Sequence, residues 1–328
     1  SSAAALDIDY LGRALVAGTT NEAGPTEGFV VRLLASGQPD FSYGADGRRD
    51  FDGPGSIFSP VDVDALPGGS VLVTGSSYSV PTLGDFRVWK TLPTGEDDTA
   101  FGAPDGYVIT DIEGEDDAEV LVLDGTSGFY VAGSSRTTVL DKPRVAVARY
   151  DSAGEPDLGF GTDGSTIWRP ANFSEAAGVA ALVQANGRLV LAGQARINGG
   201  SMFSAILRYL PNGSLDPTFG ASGVALPAPS HNGVEDLLAA PGGRLWVVTT
   251  VNGASIESLT ADGAIDSPFP TGSHAAVSDT SNTAAAAIDS NGRLLLASLA
   301  GTTATGHDIR ITRAALTTKI DPVAHSKI

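Results

Sequence analysis

The chain has 328 residues with 41 glycines, 19 prolines and no cysteine, so turns must be frequent and disulfides, thiolate metal sites and a cysteine nucleophile are excluded. A formal net charge of −18, with only four lysines among twenty basic residues, makes phosphate backbones and anionic membranes poor partners and suits solubility or cation binding. Hydrophobic residues make up 42%, enough for a large core, yet no apolar run approaches the ~18 residues of a membrane-spanning helix.

Ser1-Ser2-Ala3-Ala4-Ala5 opens the chain without a basic or apolar signal region. Two landmarks then recur. The first is a tight turn between short apolar runs: Leu11-Gly12-Arg13, Pro67-Gly68-Gly69, Ser127-Gly128, Asn186-Gly187, Gly242-Gly243 and Asn291-Gly292. Asn-Gly between such runs is the strongest short-range hairpin signal. The residues after these turns, Arg13, Ser70, Phe129, Arg188, Arg244 and Arg293, lie 57, 59, 59, 56 and 49 apart.

The second landmark reads Gly37-x-x-Asp40, Gly95-x-x-Asp98, Gly154-x-x-Asp157, Gly213-x-x-Asp216 and Gly263-x-x-Asp266, with a degenerate sixth copy at Thr318–Asp321. An aromatic-Gly pair follows in the first four copies: Tyr43-Gly44, Phe101-Gly102, Phe160-Gly161 and Phe219-Gly220. Two landmarks keeping one period define six units, approximately 1–58, 59–116, 117–175, 176–232, 233–282 and 283–328 of a single domain.

Each unit offers four strands, in the fourth copy Val179–Ala185, Arg188–Ala195, Phe203–Leu210 and Gly223–Ala228. The first two are almost continuously apolar, as in strands covered on both faces, and the third places Ala205, Leu207 and Tyr209 on one face. A lone four-stranded sheet of this kind cannot bury itself, whereas sheets stacked face to face around an axis can. The pattern predicts an all-β, six-bladed β-propeller of four-stranded antiparallel blades. The last blade runs short after Ile309–Ala314, so that it has three strands, or a fourth supplied by the tail around Pro322–Ile328, or belongs to a longer protein, and a three-stranded or tail-completed blade is expected.

The stretch Arg208-Tyr-Leu-Pro-Asn-Gly-Ser-Leu-Asp-Pro-Thr-Phe-Gly220, with Asn186-Gly-Arg-Leu-Val-Leu-Ala-Gly193 before it, resembles the delta-60 repeat of exported bacterial β-propeller proteins. Copies one to four carry it sharply, copy five has Phe269-Pro270 in place of Phe-Gly, and copy six has no aromatic-Gly pair. The resemblance implies a propeller fold and a secreted, periplasmic or cell-surface location, and little chemistry.

A basic residue stands eight places before the marker aspartate in five copies: Arg32/Asp40, Lys90/Asp98, Arg149/Asp157, Arg208/Asp216 and Arg313/Asp321. Copy five has Ser258 there. A pair copied in five of the six units is expected to fix a turn rather than bind a ligand.

Aligned on the hairpin turn, the first strands carry Ala5, Asp62, Leu121, Ala180, Asp236 and Ala285 at one position. Asp62 and Asp236 would face each other across a six-fold channel, with Asp7, Asp9, Asp64, Glu235 and Asp289 nearby. Such carboxylates are hard ligands suited to Ca²⁺, and solvated strand ends are the plainer reading. Glu113-Gly-Glu-Asp-Asp-Ala-Glu119 is a denser acidic run, read as a solvated loop rather than a surface Ca²⁺ site.

The four histidines, His231, His274, His307 and His325, show no metal-binding spacing. His231 and His274 flank the divergent fifth unit and mark it as a candidate specialised patch. Trp89, Trp168 and Trp246 occupy strand positions and are expected to pack between blades. No nucleophile elbow or phosphate loop exists. The sequence therefore favours a binding module for a protein, glycan or matrix ligand, monomeric or part of a larger surface assembly. The alternative is a metal-dependent lactonase- or esterase-like hydrolase with Asp62 and Asp236 holding a channel cation.

Overall fold

Glycine-rich turns every few residues allow only antiparallel pairing between chain neighbours, and that is what the computed structural model contains. It describes residues 1–21, 27–51, 56–79, 84–126, 128–170, 173–197, 200–227, 233–250, 254–266, 274–276, 283–288, 294–302 and 306–314. Sheet one is β1 (Ser2–Ile8), β2 (Ala14–Thr20), β3 (Glu27–Leu33) and β4 (Arg48–Phe51). Sheet two is β5 (Ser56–Ala65), β6 (Val71–Ser79), β7 (Gly84–Thr91) and β8 (Tyr107–Thr110). Sheet three is β9 (Glu115–Leu123), β10 (Phe129–Arg136), β11 (Arg144–Tyr150) and β12 (Ser165–Trp168).

Sheet four is β13 (Phe173–Val183), β14 (Leu189–Ile197), β15 (Met202–Tyr209) and β16 (Val224–Ala225). Sheet five is β17 (Val234–Ala239), β18 (Leu245–Thr250), β19 (Ala254–Leu259) and β20 (His274–Ala276). Sheet six has three strands among the described residues, β21 (Thr283–Ile288), β22 (Leu294–Thr302) and β23 (Gly306–Ala314). The strands of every sheet lie in chain order. Residues 315–328, and with them any strand from the tail, lie outside the described residues.

The chain divides into two compact units, Ser1–Arg169 with sheets one to three and Pro170–Ile328 with sheets four to six. In each unit the first strands of successive sheets pack together, β1 on β5 and β5 on β9, then β13 on β17 and β17 on β21. The core is a series of layers between sheets. Val30, Phe58, Val73 and Trp89 join sheets one and two; Phe86, Leu121, Phe129 and Tyr150 join two and three; Val190, Ile206, Leu237 and Val247 join four and five; Leu238, Val248 and Leu294 join five and six.

Main-chain hydrogen bonds set the repeat register. The turn amides of Asp9, Leu66, Asp124, Gln184 and Ala240 donate to the carbonyls of Arg13, Ser70, Gly128, Arg188 and Arg244. In sheet three the equivalent position is therefore Gly128 rather than Phe129, which shifts the counterpart of Asp62 from Leu121 to Val120. A second regularity was invisible in the sequence. Each first strand bulges at an equivalent place, leaving Ala4, Val61, Glu119, Val179, Glu235 and Ala284 out of the pairing ladder, and β13 has a second irregularity at Ser174.

Opposite the bulge, Gly18, Gly75, Gly133 and Gly193 allow the strands to close. A Cβ there would stand 2.0–2.1 Å from the carbonyl oxygens of Ser2, Ser59, Asp117 and Ala177. The aromatic-Gly and Gly-x-x-Asp motifs interlock between sheets. The amides of Gly44, Gly102 and Gly220 donate to the carbonyls of Thr94, Ala153 and Asp262, each just ahead of the next sheet's marker glycine, at 2.7–2.8 Å.

Strand limits differ from the sequence pattern at both sheet edges. In sheet four β13 begins at Phe173, six residues before its apolar run, because the ladder with β14 continues past the bulge through Glu175↔Arg196. β16 shrinks to Val224–Ala225. The apparent one-sided alternation of β15 does not mark a wet face: Ser204, Ile206 and Arg208 are buried along with Ala205, Leu207 and Tyr209. Both its faces are covered, whereas β13 alternates between buried and half-buried positions.

Candidate functional site

The repeated basic–acidic pairs are ion pairs in four sheets. Arg32 Nε lies 2.8 Å from Asp40, Lys90 Nζ 2.9 Å from Asp98, Arg149 Nη1 2.7 Å from Asp157 and Arg208 Nε 2.9 Å from Asp216. Asp321 lies outside the described residues. Spacing of eight works because the chain turns back on itself: the Asp40, Asp98, Asp157 and Asp216 amides donate to the carbonyls of their own basic partners.

A second cation was missed by the spacing argument. Arg13 reaches Asp40 at 3.3 Å, Arg188 reaches Asp216 at 2.9 Å and Arg244 reaches Asp266 at 2.5 Å, where Ser258 replaces the usual arginine. The recurrence of Arg directly after the hairpin turn was the available signal. Burial alone would raise the Asp40 and Asp216 carboxyls. Donation from the hydroxyls and amides of Ser42 and Thr218, with the arginines, outweighs it and holds both below the ordinary carboxylate range. Arg32 and Arg208 also sit 4.5 and 4.6 Å over the rings of Tyr43 and Phe219.

The first-strand carboxylates bridge successive sheets. Asp62 Oδ1 accepts the Val63 amide at 2.9 Å and Oδ2 accepts the Leu121 amide of sheet three at 2.8 Å. Asp236 repeats this in the second unit, with Leu237 at 2.8 Å and Ala286 of sheet six at 3.2 Å. Asp7 Oδ2 accepts the Ala65 amide of sheet two at 2.8 Å. Asp64 is buried on β5, Glu235 is the bulge residue of β17, and buried Asp9 pairs with Arg13 at 2.6 Å. His274 lies on β20 opposite Glu257, while His231 and Asp289 lie outside the described residues.

The acidic run is not a solvated loop. Glu115–Glu119 form the start of β9, Glu115 pairs with Arg136 at 2.6 Å, Glu113 pairs with Arg169, and Asp117 accepts the Tyr78 hydroxyl at 2.7 Å. Asp116 turns inward towards Asp85 and Asp111. Trp89, Trp168 and Trp246 are all buried, Trp89 within 5.1 and 6.0 Å of the Phe51 and Phe58 rings.

Among the described residues, a recess at the edge of sheet one is open to solvent. Where β4 meets the marker loop of sheet two, Gly44, Ala45, Arg48, Arg49, Asp50, Gly95, Glu96 and Asp97 line a shallow polar cleft. Arg49 Nη2 donates to both Asp97 oxygens at 2.8 Å, and Trp89 Nε1 donates to the same carboxylate at 2.9 Å. Arg48 Nε donates to Asp50 at 2.6 Å and its guanidinium rests 4.5 Å over Phe29. Both side chains remain about a third or more exposed, at 35% and 41%. The cleft therefore presents fixed charges of both signs.

A family model described as "Domain of unknown function (DUF5122) beta-propeller" matches residues 12–43 and 184–219, the segments that run from hairpin turn to aromatic in copies one and four. No curated protein matches the chain. Among solved structures, it is similar to a protein of unknown function from Dyadobacter fermentans, with 15% identity, 94% of this chain and 93% of that chain covered, and a TM-score of 0.56. It is also similar to the polysaccharide lyase Uly1, with 12% identity, 94% and 75% covered, and a TM-score of 0.54. A third is the propeller domain of the Trilobed protease from Pyrococcus furiosus, with 10% identity, 99% and 83% covered, and a TM-score of 0.50. The chain has an all-β propeller fold built from antiparallel sheets, five of them four-stranded and the sixth with three strands among the described residues.

Proposed function

We propose that this protein is a six-bladed, exported or cell-surface propeller of the delta-60 type that binds a protein, glycan or matrix ligand at the Arg48–Asp50 cleft. One observation carries the reading. Arg48-Arg49-Asp50 stands where the next three copies have Tyr107-Val108-Ile109, Ser165-Thr166-Ile167 and Val224-Ala225-Leu226. Residues that do repeat are occupied in turns and sheet-to-sheet contacts; Arg49 serves one such contact, to Asp97, whereas the Arg48–Asp50 pair lies at the surface as a departure from the repeat. A guanidinium and a carboxylate held side by side at the surface suit hydroxyl-rich or charged ligands.

The surface charge supports an uncharged or basic partner over nucleic acid. A hydrolase built on Asp62 and Asp236 draws less support, since each of those carboxylates already spans two sheets through main-chain amides. The test is a glycan array and a pull-down with the intact chain, repeated with Arg48→Ala and Asp50→Ala. Either substitution should weaken the captured ligand at least tenfold. A ligand indifferent to both changes, or metal-dependent turnover of a lactone or ester, defeats the proposal.

A further inference from the structure

Asp85, Asp111 and Asp116 converge where the chain leaves sheet two and enters sheet three. Asp85 is the second residue of β7, Asp111 follows β8 directly, and Asp116 is the second residue of β9. One carboxylate oxygen from each lies within 4.8 Å of the other two. Calcium–oxygen bonds of ~2.3–2.6 Å let two ligand oxygens stand up to about 5 Å apart across one ion, so all three reach a common centre.

A second observation is independent of the clustering. Asp116 is wholly buried, at 0% exposure, and its Oδ1 has no hydrogen-bond partner. Its other oxygen accepts the Ile112 amide at 2.6 Å, and the Ser135 hydroxyl, opposite Asp116 in the β9–β10 ladder, also favours its charged form, yet burial and the neighbouring acids outweigh both. A buried carboxylate oxygen without a donor is costly, and proteins compensate such atoms with a cation. No lysine or arginine pairs with any of the three carboxylates among the described residues. The adjacent Glu113 and Glu115, by contrast, take Arg169 and Arg136.

The Asp111 side chain is oriented for the role, its Oδ1 held at 2.9 Å by the Gly114 amide. The local electrostatics agree with the geometry. Burial, then the charges of Asp111 and Asp116, push the Asp85 carboxyl up to about 6, and burial raises Asp116 as well. Three acids crowded together without a counter-ion repel; one divalent ion would reverse the sign of that interaction.

We propose that Asp85, Asp111 and Asp116 form a Ca²⁺ site that fastens sheet two to sheet three. The donors are hard carboxylate oxygens with no histidine or thiolate among them, which disfavours zinc and its neighbours. Three protein carboxylates in one cage suit Ca²⁺ better than Mg²⁺, which keeps most of its water and takes one or two carboxylates. The site is separate from the first-strand carboxylates and from the Arg48–Asp50 cleft, and does not depend on the ligand-binding reading.

The test is calorimetric titration of CaCl₂ into the chelator-treated full chain in 150 mM KCl, where diffuse attraction to the acidic surface is screened. One equivalent should bind with a dissociation constant on the order of 10⁻⁵–10⁻³ M and raise the thermal midpoint. Asp111→Asn, at an exposed position that leaves the core intact, and Asp85→Asn should each weaken binding at least tenfold and remove the thermal shift. Glu155→Gln, an exposed carboxylate elsewhere, should change neither. Absence of saturable binding overturns the proposal, as does affinity unchanged in both Asn variants. Mg²⁺ binding as tight as Ca²⁺ overturns the choice of ion.

Discussion

Asp62 Oδ2 accepts the main-chain amide of Leu121, fifty-nine residues further along the chain, at 2.8 Å. This bond ties the first strand of sheet two to that of sheet three, and Asp236 ties sheet five to sheet six in the same way through Ala286. A side chain thus does between sheets what the ladder does within one. Asp62→Ala and Asp236→Ala should each cost about 1–2 kcal/mol by leaving an amide without its acceptor, read as a lower urea midpoint at unchanged slope. Loss of bound metal or of turnover at an unchanged midpoint would instead assign these carboxylates to a site.

The bulge opposite each glycine predicts a sharper effect. In Gly193→Ala the new methyl would meet the Ala177 carbonyl oxygen at 2.1 Å. That atom belongs to backbone and cannot swing aside, so the strands must separate or the bulge must move. Destabilisation of about 3 kcal/mol or more is expected from chemical denaturation. A loss below 1 kcal/mol would mean that the bulge is easily displaced.

The ion pairs should rank by burial. Asp216, 1% exposed, is held by both Arg208 and Arg188, while the Lys90–Asp98 pair is nearly a fifth exposed on each side. Arg208→Ala leaves the buried Asp216 to Arg188 and Thr218 alone and should cost about 2–3 kcal/mol; Lys90→Ala should cost about 1 kcal/mol or less. Equal effects in equilibrium unfolding would contradict this order.

Acid should act through the same turns. Asp9, Asp40, Asp124 and Asp216 all sit below the ordinary carboxylate value, because hydrogen bonds and arginines outweigh their burial. A carboxyl depressed in the folded state contributes stability that is complete above its unfolded value of ~3.9 and is lost as pH falls through the folded value. Unfolding free energy should therefore decline below about pH 4, and Asp216→Asn should show a shallower decline. A profile for Asp216→Asn parallel to wild type across pH 2–5 would show that this pair does not contribute.

Much of the fold is legible in one dimension because its determinants are local. Asn186-Gly187 makes a hairpin wherever it lies between apolar runs, and Arg208 finds Asp216 because eight residues are enough to leave a strand and fold back. The period, the turns, the antiparallel sheets and the repeated ion pairs belong to this class. Strand ends were less legible, since the ladder of β13 continues to Glu175 and Phe173 on pairing alone.

The candidate sites were decided elsewhere. Asp62 and Asp236 read as metal ligands, and Asp7 as their channel-mouth neighbour, when only residue type and alignment are known; amide donors that occupy them come from other sheets, some fifty to sixty residues away. Asp85 carries no local signal at all, and joins Asp111 and Asp116 only because β7, β8 and β9 end at one corner. Sequence by itself determines contacts made within a turn or a hairpin, where chain connectivity already brings the partners together. Contacts between sheets depend on how the layers stack. Only the tertiary structure therefore decides which carboxylates are consumed by backbone amides and which remain gathered without a counter-charge.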